Sequence, residues 1–458
     1  MGKRWLGLVV AAFVGLTVAE GCVSLPVYAC KSGDVCVSGS GAQGMCEPNA
    51  HCSFTDSACA STGRRYGTDG ADALSGTCVA PVKSCVQKLA LGNPHSCLLA
   101  TDGGVWCWGG NAAGQLGDGT TTSRSVPTKV VGLPGPASSI SAGDSLTCAL
   151  LQDQTVWCWG DNATLQLGQC GAAPPASSTK PVQVSAYVVD GQGKLACDPK
   201  PFKATVLSVG GKHVCALGVS GDVYCWGENS TGQCGQDPAD PKFEDVPGPL
   251  PISGPVSGIK DVQTGDEFGC SLKDDGSAYC WGSNALGSLG DGTGVDSYKP
   301  VGVSGLLSVA ALAIGDEAAC ARTAEGGIWC WGNGASGILG ASFANGTKAV
   351  RLTSADRVYF GDVASHVCTT SVSGDLKCWG ANLKGQTGVG NLEPSITAPT
   401  TAKLITVKEM GLGEEHTCAL TKDGALYCWG NNSDGQLGLG AASDAPTLTP
   451  TRVPFSCP

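Results

Sequence analysis

Residues 418–430 read Cys-Ala-Leu-Thr-Lys-Asp-Gly-Ala-Leu-Tyr-Cys-Trp-Gly, and this pattern decides the fold because it recurs along the chain. The tripeptide Cys-Trp-Gly occurs seven times, and another cysteine stands ten residues before each of its cysteines. The seven pairs are Cys97 and Cys107, Cys148 and Cys158, Cys215 and Cys225, Cys270 and Cys280, Cys320 and Cys330, Cys368 and Cys378, and Cys418 and Cys428. Successive first cysteines are 51, 67, 55, 50, 48 and 50 residues apart. A period near 50 residues with one expanded unit indicates propeller blades or solenoid turns.

Each repeat contains short β-like runs separated by glycine, aspartate and proline. Examples are residues 128–131, 139–142, 147–151 and 155–159. Four strands in a repeat are typical of a propeller blade. We therefore predict an all-β chain, in which a seven-bladed β-propeller at residues 85–458 is preceded by a small cysteine-rich module.

The ten-residue cysteine spacing predicts a hairpin in each repeat. The residue after its midpoint is glycine in six repeats and Gln154 in the other, and a three-residue hairpin loop needs glycine where the backbone turns left-handed. Such a hairpin places its two cysteines opposite each other with Cα atoms roughly 4.5–5.5 Å apart, so we predict seven disulfides within the blades. Buried thiol pairs are the alternative. Zinc is less favoured because the spacing is not that of a zinc knuckle.

A histidine stands two residues before the first cysteine in four repeats. These residues are His95, His213, His366 and His416. Because they share one repeat position, we interpret them as structural, with a ring nitrogen hydrogen-bonded between blades, rather than as catalytic. A further motif, Asn-x-x-Gly-Gln-Leu-Gly, follows Trp-Gly at residues 111–117 and 432–438 and consists of tight-turn residues.

Residues 413–424 and 429–438 combine these features as Gly-x-x-His-Thr-Cys-Ala-Leu, a glycine turn and Trp-Gly-x-Asn-x-x-Gly-Gln-Leu-Gly. This pattern resembles the repeat of the regulator of chromosome condensation family over residues 86–454. The resemblance implies a seven-bladed propeller. Nuclear members of that family catalyse nucleotide exchange on a small GTPase and bind chromatin, and a secreted member inhibits β-lactamases. The paired cysteines depart from the cytosolic and nuclear members and suit an extracellular relative.

The N-terminus has the pattern of an export signal. Lys3 and Arg4 precede an apolar run at residues 5–19 that ends before Cys22, which predicts a signal peptide at residues 1–21. The segment resembles a bacterial lipoprotein signal, which implies lipidation of Cys22 and a position at the outer membrane or cell surface. Plain secretion and an uncleaved anchor are the alternatives. The 26 cysteines also favour an oxidising compartment.

Residues 22–84 are predicted to form a stalk module stapled by disulfides. Few of these residues are aliphatic, so the segment cannot build a large core. Its six cysteines after the lipidation site are Cys30, Cys36, Cys46, Cys52, Cys59 and Cys78. Three disulfides among them allow fifteen connectivities, between which the sequence does not choose.

The remaining cysteines suggest how the ring closes. We expect the strand after Cys85 and the strand at residues 450–454 to complete the seventh blade together, with a disulfide between Cys85 and Cys457. In the expanded repeat we pair Cys170 with Cys197. Cys234 is then left as a buried thiol, unless it bonds to Cys170.

The formal net charge of −11 and the isoelectric point near 4.9 argue against nucleic acid and anionic lipid as partners. We expect contact with a membrane only through the lipid anchor. The sequence has no nucleophile elbow, phosphate loop or His-Glu-x-x-His motif. Asp-Gly pairs such as 118–119 and 291–292 are interpreted as turns rather than calcium sites, so we predict no cofactor and no metal.

These observations favour a monomeric, non-enzymatic scaffold that binds a protein or another envelope ligand through loops on one face of the ring. The expected surfaces are Cys170–Cys197 and Asp237–Pro251. One alternative is a regulator of guanine-nucleotide exchange, by family analogy, which export disfavours. Others are a polysaccharide-processing enzyme that uses channel carboxylates and a passive envelope protein.

Overall fold

The computed structural model describes the chain as two compact units, Met1–Val82 and Lys83–Pro458. In the second unit, residues 85–455 are described apart from 172–173, 190–193, 255–256, 342–344 and 405. In the first unit, the backbone is described at 21–22, 35–37, 43–46, 52–55 and 64–66.

The first unit contains a five-stranded antiparallel sheet of consecutive strands. These are β1 Gly21–Cys22, β2 Val35–Val37, β3 Gln43–Cys46, β4 Cys52–Thr55 and β5 Arg64–Tyr66. The register places Cys22 opposite Cys36 and Cys46 opposite Cys52. Three module cysteines lie outside the described residues, namely Cys30, Cys59 and Cys78. The side chains of this unit also lie outside, so its disulfides and the lipidation of Cys22 stay predictions.

The described part of the second unit contains seven four-stranded antiparallel sheets, each built from consecutive strands. In chain order the strands are β6 Val86–Leu91, β7 His95–Ala100, β8 Val105–Gly109 and β9 Arg124–Lys129; β10 Ala137–Ala142, β11 Leu146–Leu151, β12 Val156–Asp161 and β13 Ser177–Gln183; a separate hairpin of β14 Ser185–Val189 and β15 Leu195–Pro201; β16 Ala204–Val209, β17 His213–Gly218, β18 Val223–Glu228 and β19 Asp245–Pro251; β20 Ile259–Thr264, β21 Phe268–Lys273, β22 Ala278–Gly282 and β23 Ser297–Gly302; β24 Val309–Ile314, β25 Ala318–Thr323, β26 Gly327–Asn333 and β27 Asn345–Ser354; β28 Arg357–Phe360, β29 His366–Thr370, β30 Leu376–Ala381 and β31 Ser395–Thr401; and β32 Val407–Leu412, β33 His416–Thr421, β34 Leu426–Asn432 and β35 Ser443–Arg452. A short 3-10 helix, Pro241–Phe243, precedes β19. The predicted seven-bladed propeller is confirmed.

The ring closes differently from the prediction. The first sheet uses only residues 86–129 and the last uses only 407–452, so the expected blade made of both chain ends is wrong. The strand after Cys85, β6, is the innermost strand of the first sheet. The first blade is therefore complete without residues from the other end of the propeller. β6 packs against β32, the innermost strand of the last sheet. Cys85 is disulfide-bonded, and Cys457 lies outside the described residues, so their pairing stays a prediction.

Neighbouring blades are joined by the tryptophans of the Cys-Trp-Gly tripeptides, all of which are fully buried. Each indole Nε1 donates a hydrogen bond of 2.8–3.0 Å to a backbone carbonyl in the turn of the adjacent blade. The pairs are Trp159 and Gln115, Trp226 and Gln166, Trp281 and Gln233, Trp331 and Ser288, Trp379 and Ile338, Trp429 and Gln386, and Trp108 and Gln436. The last pair joins the first blade to the seventh, so closure uses the same bond as the other six interfaces.

The second and third strands of each blade form the hairpin expected from the cysteine spacing. The register sets the two cysteines opposite each other. The structure joins all seven pairs by disulfides, with Cα atoms 4.0–4.2 Å apart. Gln154, which replaces the turn glycine, adopts the same left-handed backbone with a φ of 70°. Cys170 is bonded to Cys197, and Cys234 is a free, buried thiol.

Among the described residues, no helix has the length and apolar character needed to cross a membrane.

Candidate functional site

The innermost strands of the seven blades surround a central channel. At one end of the channel, a hairpin led by glycine connects each innermost strand to the second strand. A Cβ at Gly143 would lie 1.9 Å from the carbonyl oxygen of Gly210, and one at Gly92 would lie 2.0 Å from that of Gly143. Neighbouring hairpins therefore meet backbone to backbone, which requires a residue without a side chain.

The tips of these hairpins are also linked by hydrogen bonds around the channel. The amide of Asp144 donates to the carbonyl of Gly211 at 3.3 Å. The amide of Asp266 donates to the carbonyl of Asp316 at 3.0 Å. The amide of Asp316 donates to the carbonyl of Ala364 at 3.0 Å. Backbone hydrogen bonds thus link the tips of the first three blades to one another and the tips of the fourth, fifth and sixth blades to one another.

In four of these hairpins the residue at the tip, directly after the leading glycine, is acidic. We call Asp144, Asp266, Asp316 and Glu414 the acidic mouth. Burial and the charges of Asp144 and Asp316 raise the pKa of Asp266 to about 7. Burial and neighbouring carboxylates raise the pKa of Glu414 to about 7 and that of Asp316 to about 6. Burial also raises the pKa of Asp144, against the opposing charge of Lys212. These carboxylates are close enough to repel one another.

A second set of carboxylates surrounds the acidic mouth and acts on its pKa values. These residues are Asp161, Glu228, Glu267, Glu317 and Glu415. Few cations balance them. Lys384 Nζ lies 3.9 Å from Glu415 Oε2, and Lys212 lies close to Asp144. This end of the propeller therefore carries a strong negative potential.

Deeper in the channel is a cavity of about 280 Å³. Its polar lining includes Lys88, Ser141, Gln263, Asp362 and Glu409. Ser141 Oγ donates a 3.1 Å hydrogen bond to Asp362 Oδ2, although the two residues belong to the second and sixth blades. Burial raises the pKa of Asp362 to about 8. A protonated Asp362 that reaches across to the opposite wall narrows the channel at this level.

The sequence explains why Asp362 reaches into the channel. In the sixth blade, four residues separate Gly361 from His366, whereas two separate the corresponding Gly413 and His416. The longer hairpin leaves Asp362 inside the ring rather than at the tip. The repeat pattern did not single out this residue, although the altered spacing between glycine and histidine is visible in the sequence.

Three of the four histidines have the structural role that we predicted. Nε2 of His95 hydrogen-bonds to Oγ1 of Thr147 in the next blade at 2.8 Å, and His416 Nε2 bonds to Ser96 Oγ across the closure at 2.7 Å. Burial lowers the pKa of His95 to about 4 and that of His416 to about 3. Neutral imidazoles that are hydrogen-bonded between blades stabilise the ring. The prediction of interblade histidine bonds is confirmed for these two residues and for His366, and it is wrong for His213, whose two ring nitrogens are buried without a hydrogen bond.

The structure brings together the two loop surfaces that we predicted. β14, from the expanded repeat, packs against β19, which belongs to the segment Asp237–Pro251. The Tyr187 ring lies over Gly248, where a Cβ would come within 2.1 Å of it. Tyr187 Oη donates to the carbonyl of Gln169 at 2.9 Å. The disulfide between Cys170 and Cys197 ties the middle of β15, opposite Tyr187, to the segment before β13.

Potential metal ligands do not converge in the described part of the chain. There, no three side chains of histidine, cysteine, aspartate or glutamate are arranged to hold an ion. Asp118 and Asp291, which precede the predicted Asp-Gly turns, accept hydrogen bonds from Thr120 and Thr293 instead. These contacts are those of aspartate side chains that cap their own turns.

Family comparisons agree with the observed repeats. The model of the RCC1-like domain matches residues 191–457. Models of the regulator of chromosome condensation repeat match residues 102–150, and also 86–115 and 137–169. The first of these matches covers more than half of the chain.

Individual relatives match part of the chain. The ultraviolet-B receptor UVR8 of Arabidopsis thaliana is 32% identical over 219 residues, which are 48% of this chain and 46% of the receptor. The human E3 ubiquitin-protein ligase HERC2 is 30% identical over 213 residues, which are 45% of this chain and 4% of the ligase. The crystal structure of human WBSCR16 superposes with a TM-score of 0.66 at 23% identity, covering 77% of this chain and 95% of that one. This chain thus spans less than half the length of either sequence relative, and the structural likeness supports the fold.

Proposed function

Because the chain belongs to the RCC1-like domain family, we propose that it is a binding scaffold, exported and non-enzymatic, that recognises a basic protein through the acidic mouth. The matched relatives include a receptor and a ligase, which differ in activity. A domain found in both is expected to contribute binding of a partner rather than catalysis. The ligase match covers 4% of that enzyme, so we propose no ligase activity here.

The observation that carries this proposal is the clustering of carboxylates on one rigid end of the ring. The loops between the third and fourth strands leave the same end of each sheet as the inner hairpins, because alternate connections of an antiparallel sheet lie at opposite ends. Those loops therefore frame the acidic mouth. A partner with clustered lysine or arginine would relieve the mutual repulsion of the carboxylates and gain electrostatic steering.

Export is supported by cysteine usage. Seven disulfides within the blades need an oxidising compartment to persist. We propose that residues 1–21 are removed and that Cys22 is lipidated, which would leave the propeller monomeric at a bacterial outer membrane or cell surface. Intact mass measurement of the mature protein tests this: unmodified Cys22, or retention of residues 1–21, would contradict it.

Capture of a partner from an extracytoplasmic fraction tests the function. The test variant neutralises the acidic mouth through Asp144→Asn, Asp266→Asn, Asp316→Asn and Glu414→Gln. Wild-type protein should retain one stoichiometric basic partner, and the variant should retain it at least about tenfold less well. High salt should have the same effect as the variant.

A matched control removes the same number of charges from the opposite end of the ring. Its changes are Asp102→Asn, Asp153→Asn, Asp275→Asn and Asp423→Asn, all in turns between second and third strands. This control should capture the partner as well as wild type does. Equal losses in the two variants, or a partner without a basic surface, would overturn the proposal.

A second candidate function follows from the raised pKa values. Carboxyls such as Asp266, with a pKa of about 7, could donate a proton in glycoside hydrolysis at neutral pH. Incubation with envelope polysaccharides and measurement of released reducing ends separates the two functions. Release that disappears in Asp266→Asn would establish hydrolysis in place of the proposed non-enzymatic role.

A further inference from the structure

The outermost strands of six of the seven blades share a proline that protects their exposed edges. Each second cysteine of a blade lies opposite one residue of the outermost strand. In six blades the residue before that partner is proline, namely Pro127, Pro181, Pro249, Pro300, Pro399 and Pro450. In the fifth blade Val350 lies opposite Cys330, and the preceding residue is Ala349. The fifth blade is therefore the exception.

Hydrogen bonds show which way this backbone position faces. In the first blade, Thr128 lies opposite Cys107, and the amide of Val130 donates to the carbonyl of Val105. In an antiparallel ladder, residues that bond inward alternate with residues whose amides face away. Pro127 therefore stands at an outward position, where its missing N–H removes a donor that another strand could use.

The fifth blade has the same pairing at this position without the proline, and its outermost strand has an additional register shift opposite Ile328 and Trp329. The carbonyl of Thr347 faces outward, because it accepts a 2.8 Å hydrogen bond from Gly292 of the fourth blade. Val350 lies opposite Cys330 as Thr128 lies opposite Cys107, so the amides of its two neighbours, Ala349 and Arg351, face outward. Outside the ladder of β26 and β27, no backbone hydrogen bond of the described residues uses the Ala349 amide. The strand is ten residues long and contains no proline.

We propose that the outer edge of β27 at Ala349 and Arg351, before the register shift that follows Arg351, accepts an extended acidic segment of a partner protein as an added strand. Backbone hydrogen bonds to Ala349 and Arg351 would supply affinity in this mode of recognition. The charge on β27 indicates the chemistry of the added strand. Lys348 and Arg351 are exposed, and the strand contains no acidic residue, whereas the chain as a whole has a net charge of −11.

A second copy of this chain fits the edge less well. A two-fold antiparallel pairing of β27 with itself would bring Lys348 and Arg351 of one copy near the same cations of the other. Like charges directly opposite each other destabilise a strand pair. An acidic strand meets the same cations with attraction. This inference concerns the rim of the propeller and does not depend on the acidic mouth.

The experiment uses the full chain and a ten-residue peptide of alternating valine and glutamate, matched in length to β27. The test variant is Ala349→Pro, which removes the outward amide and copies the residue of the six other blades, so it should fold. Ala349→Ser is the matched control, because it retains the amide. Binding is measured by fluorescence anisotropy of the labelled peptide, and edge protection by amide hydrogen exchange.

Wild type and Ala349→Ser should bind the peptide and show slowed exchange at Arg351. Ala349→Pro should bind at least about tenfold more weakly, and so should a variant carrying Lys348→Gln and Arg351→Gln. Failure of wild type to bind, or equal binding by Ala349→Pro, would overturn the proposal. Dimerisation of wild type that Ala349→Pro abolishes would assign the edge to a second copy instead.

Discussion

Asp266 offers a direct test of the electrostatics of the acidic mouth. Its carboxyl is largely buried, and burial, Asp144 and Asp316 raise its pKa from 3.8 to about 7. The hydrogen bond that links it to the next blade uses its backbone amide, which an asparagine also has. Asp266→Asn therefore removes the charge and keeps the backbone hydrogen bond to Asp316.

The expected magnitude follows from linkage between protonation and folding. A carboxyl whose pKa is raised in the folded state binds a proton that the unfolded chain releases, so stability falls as pH rises from about 4 to about 7. The difference between a pKa of 3.8 and one of about 7 corresponds to about 4 kcal/mol. Asp266→Asn should thus exceed wild type in stability by up to about 4 kcal/mol at about pH 8, and this advantage should shrink towards zero near pH 4.

The assay is urea unfolding across this pH range with the disulfides intact, comparing the free energies of unfolding of the two proteins. Buried histidines also titrate in this range, since burial lowers the pKa of His213 to about 4. Their contribution is common to both proteins and cancels in the difference. Asp275→Asn is the control, because that fully exposed turn residue has a pKa lowered by hydrogen bonds to Ser277. An equal stability difference for Asp266→Asn at both ends of the pH range would refute the reasoning.

Three further predictions concern the ring itself. Gly143→Ala should destabilise the propeller by about 3 kcal/mol or more in thermal unfolding, because its Cβ would lie 1.9 Å from the Gly210 oxygen. His416→Leu should cost about 1–3 kcal/mol by breaking the bond to Ser96, and adding Ser96→Val should restore part of that loss. Cys234 should resist iodoacetamide in the native protein, because burial raises the pKa of its thiol, and should react fully after unfolding, as mass spectrometry would show.

Each of these predictions has a control within the chain. Gly135 has open space where a Cβ would stand, so Gly135→Ala should leave thermal stability nearly unchanged, and an equal loss there would contradict the steric argument. Leu146 and Val214 occupy the same repeat positions in another pair of blades and belong to one core cluster. That pair shows that an apolar contact can replace the histidine–serine bond at this interface. A double variant no more stable than His416→Leu would contradict this expectation. Labelling of native Cys234 would show that the thiol is accessible.

The sequence by itself determined the number of blades and the centre of each one. The ten-residue interval between Cys97 and Cys107 lies within a single hairpin, so the register and the left-handed turn at Gly103 depend on neighbouring residues alone. The shared position of the histidines likewise predicted the bonds between blades that three of the four make. Patterns of this kind are readable because the interactions repeat with the sequence.

Only the tertiary structure decided how the ring closes and which side chains meet at its centre. The sequence pattern suggested a blade shared by the two chain ends, whereas the Trp108 bond to Gln436 joins two complete blades. Asp362 and Ser141 are 221 residues apart and meet because their blades lie on opposite sides of the channel. Distances across a closed ring depend on the packing of all seven blades, and no local pattern records them. The acidic mouth became recognisable when the hairpin tips of different blades were found around one channel. The outer edge of β27 at Ala349 became recognisable when the strand registers aligned Ala349 with the prolines of the other blades.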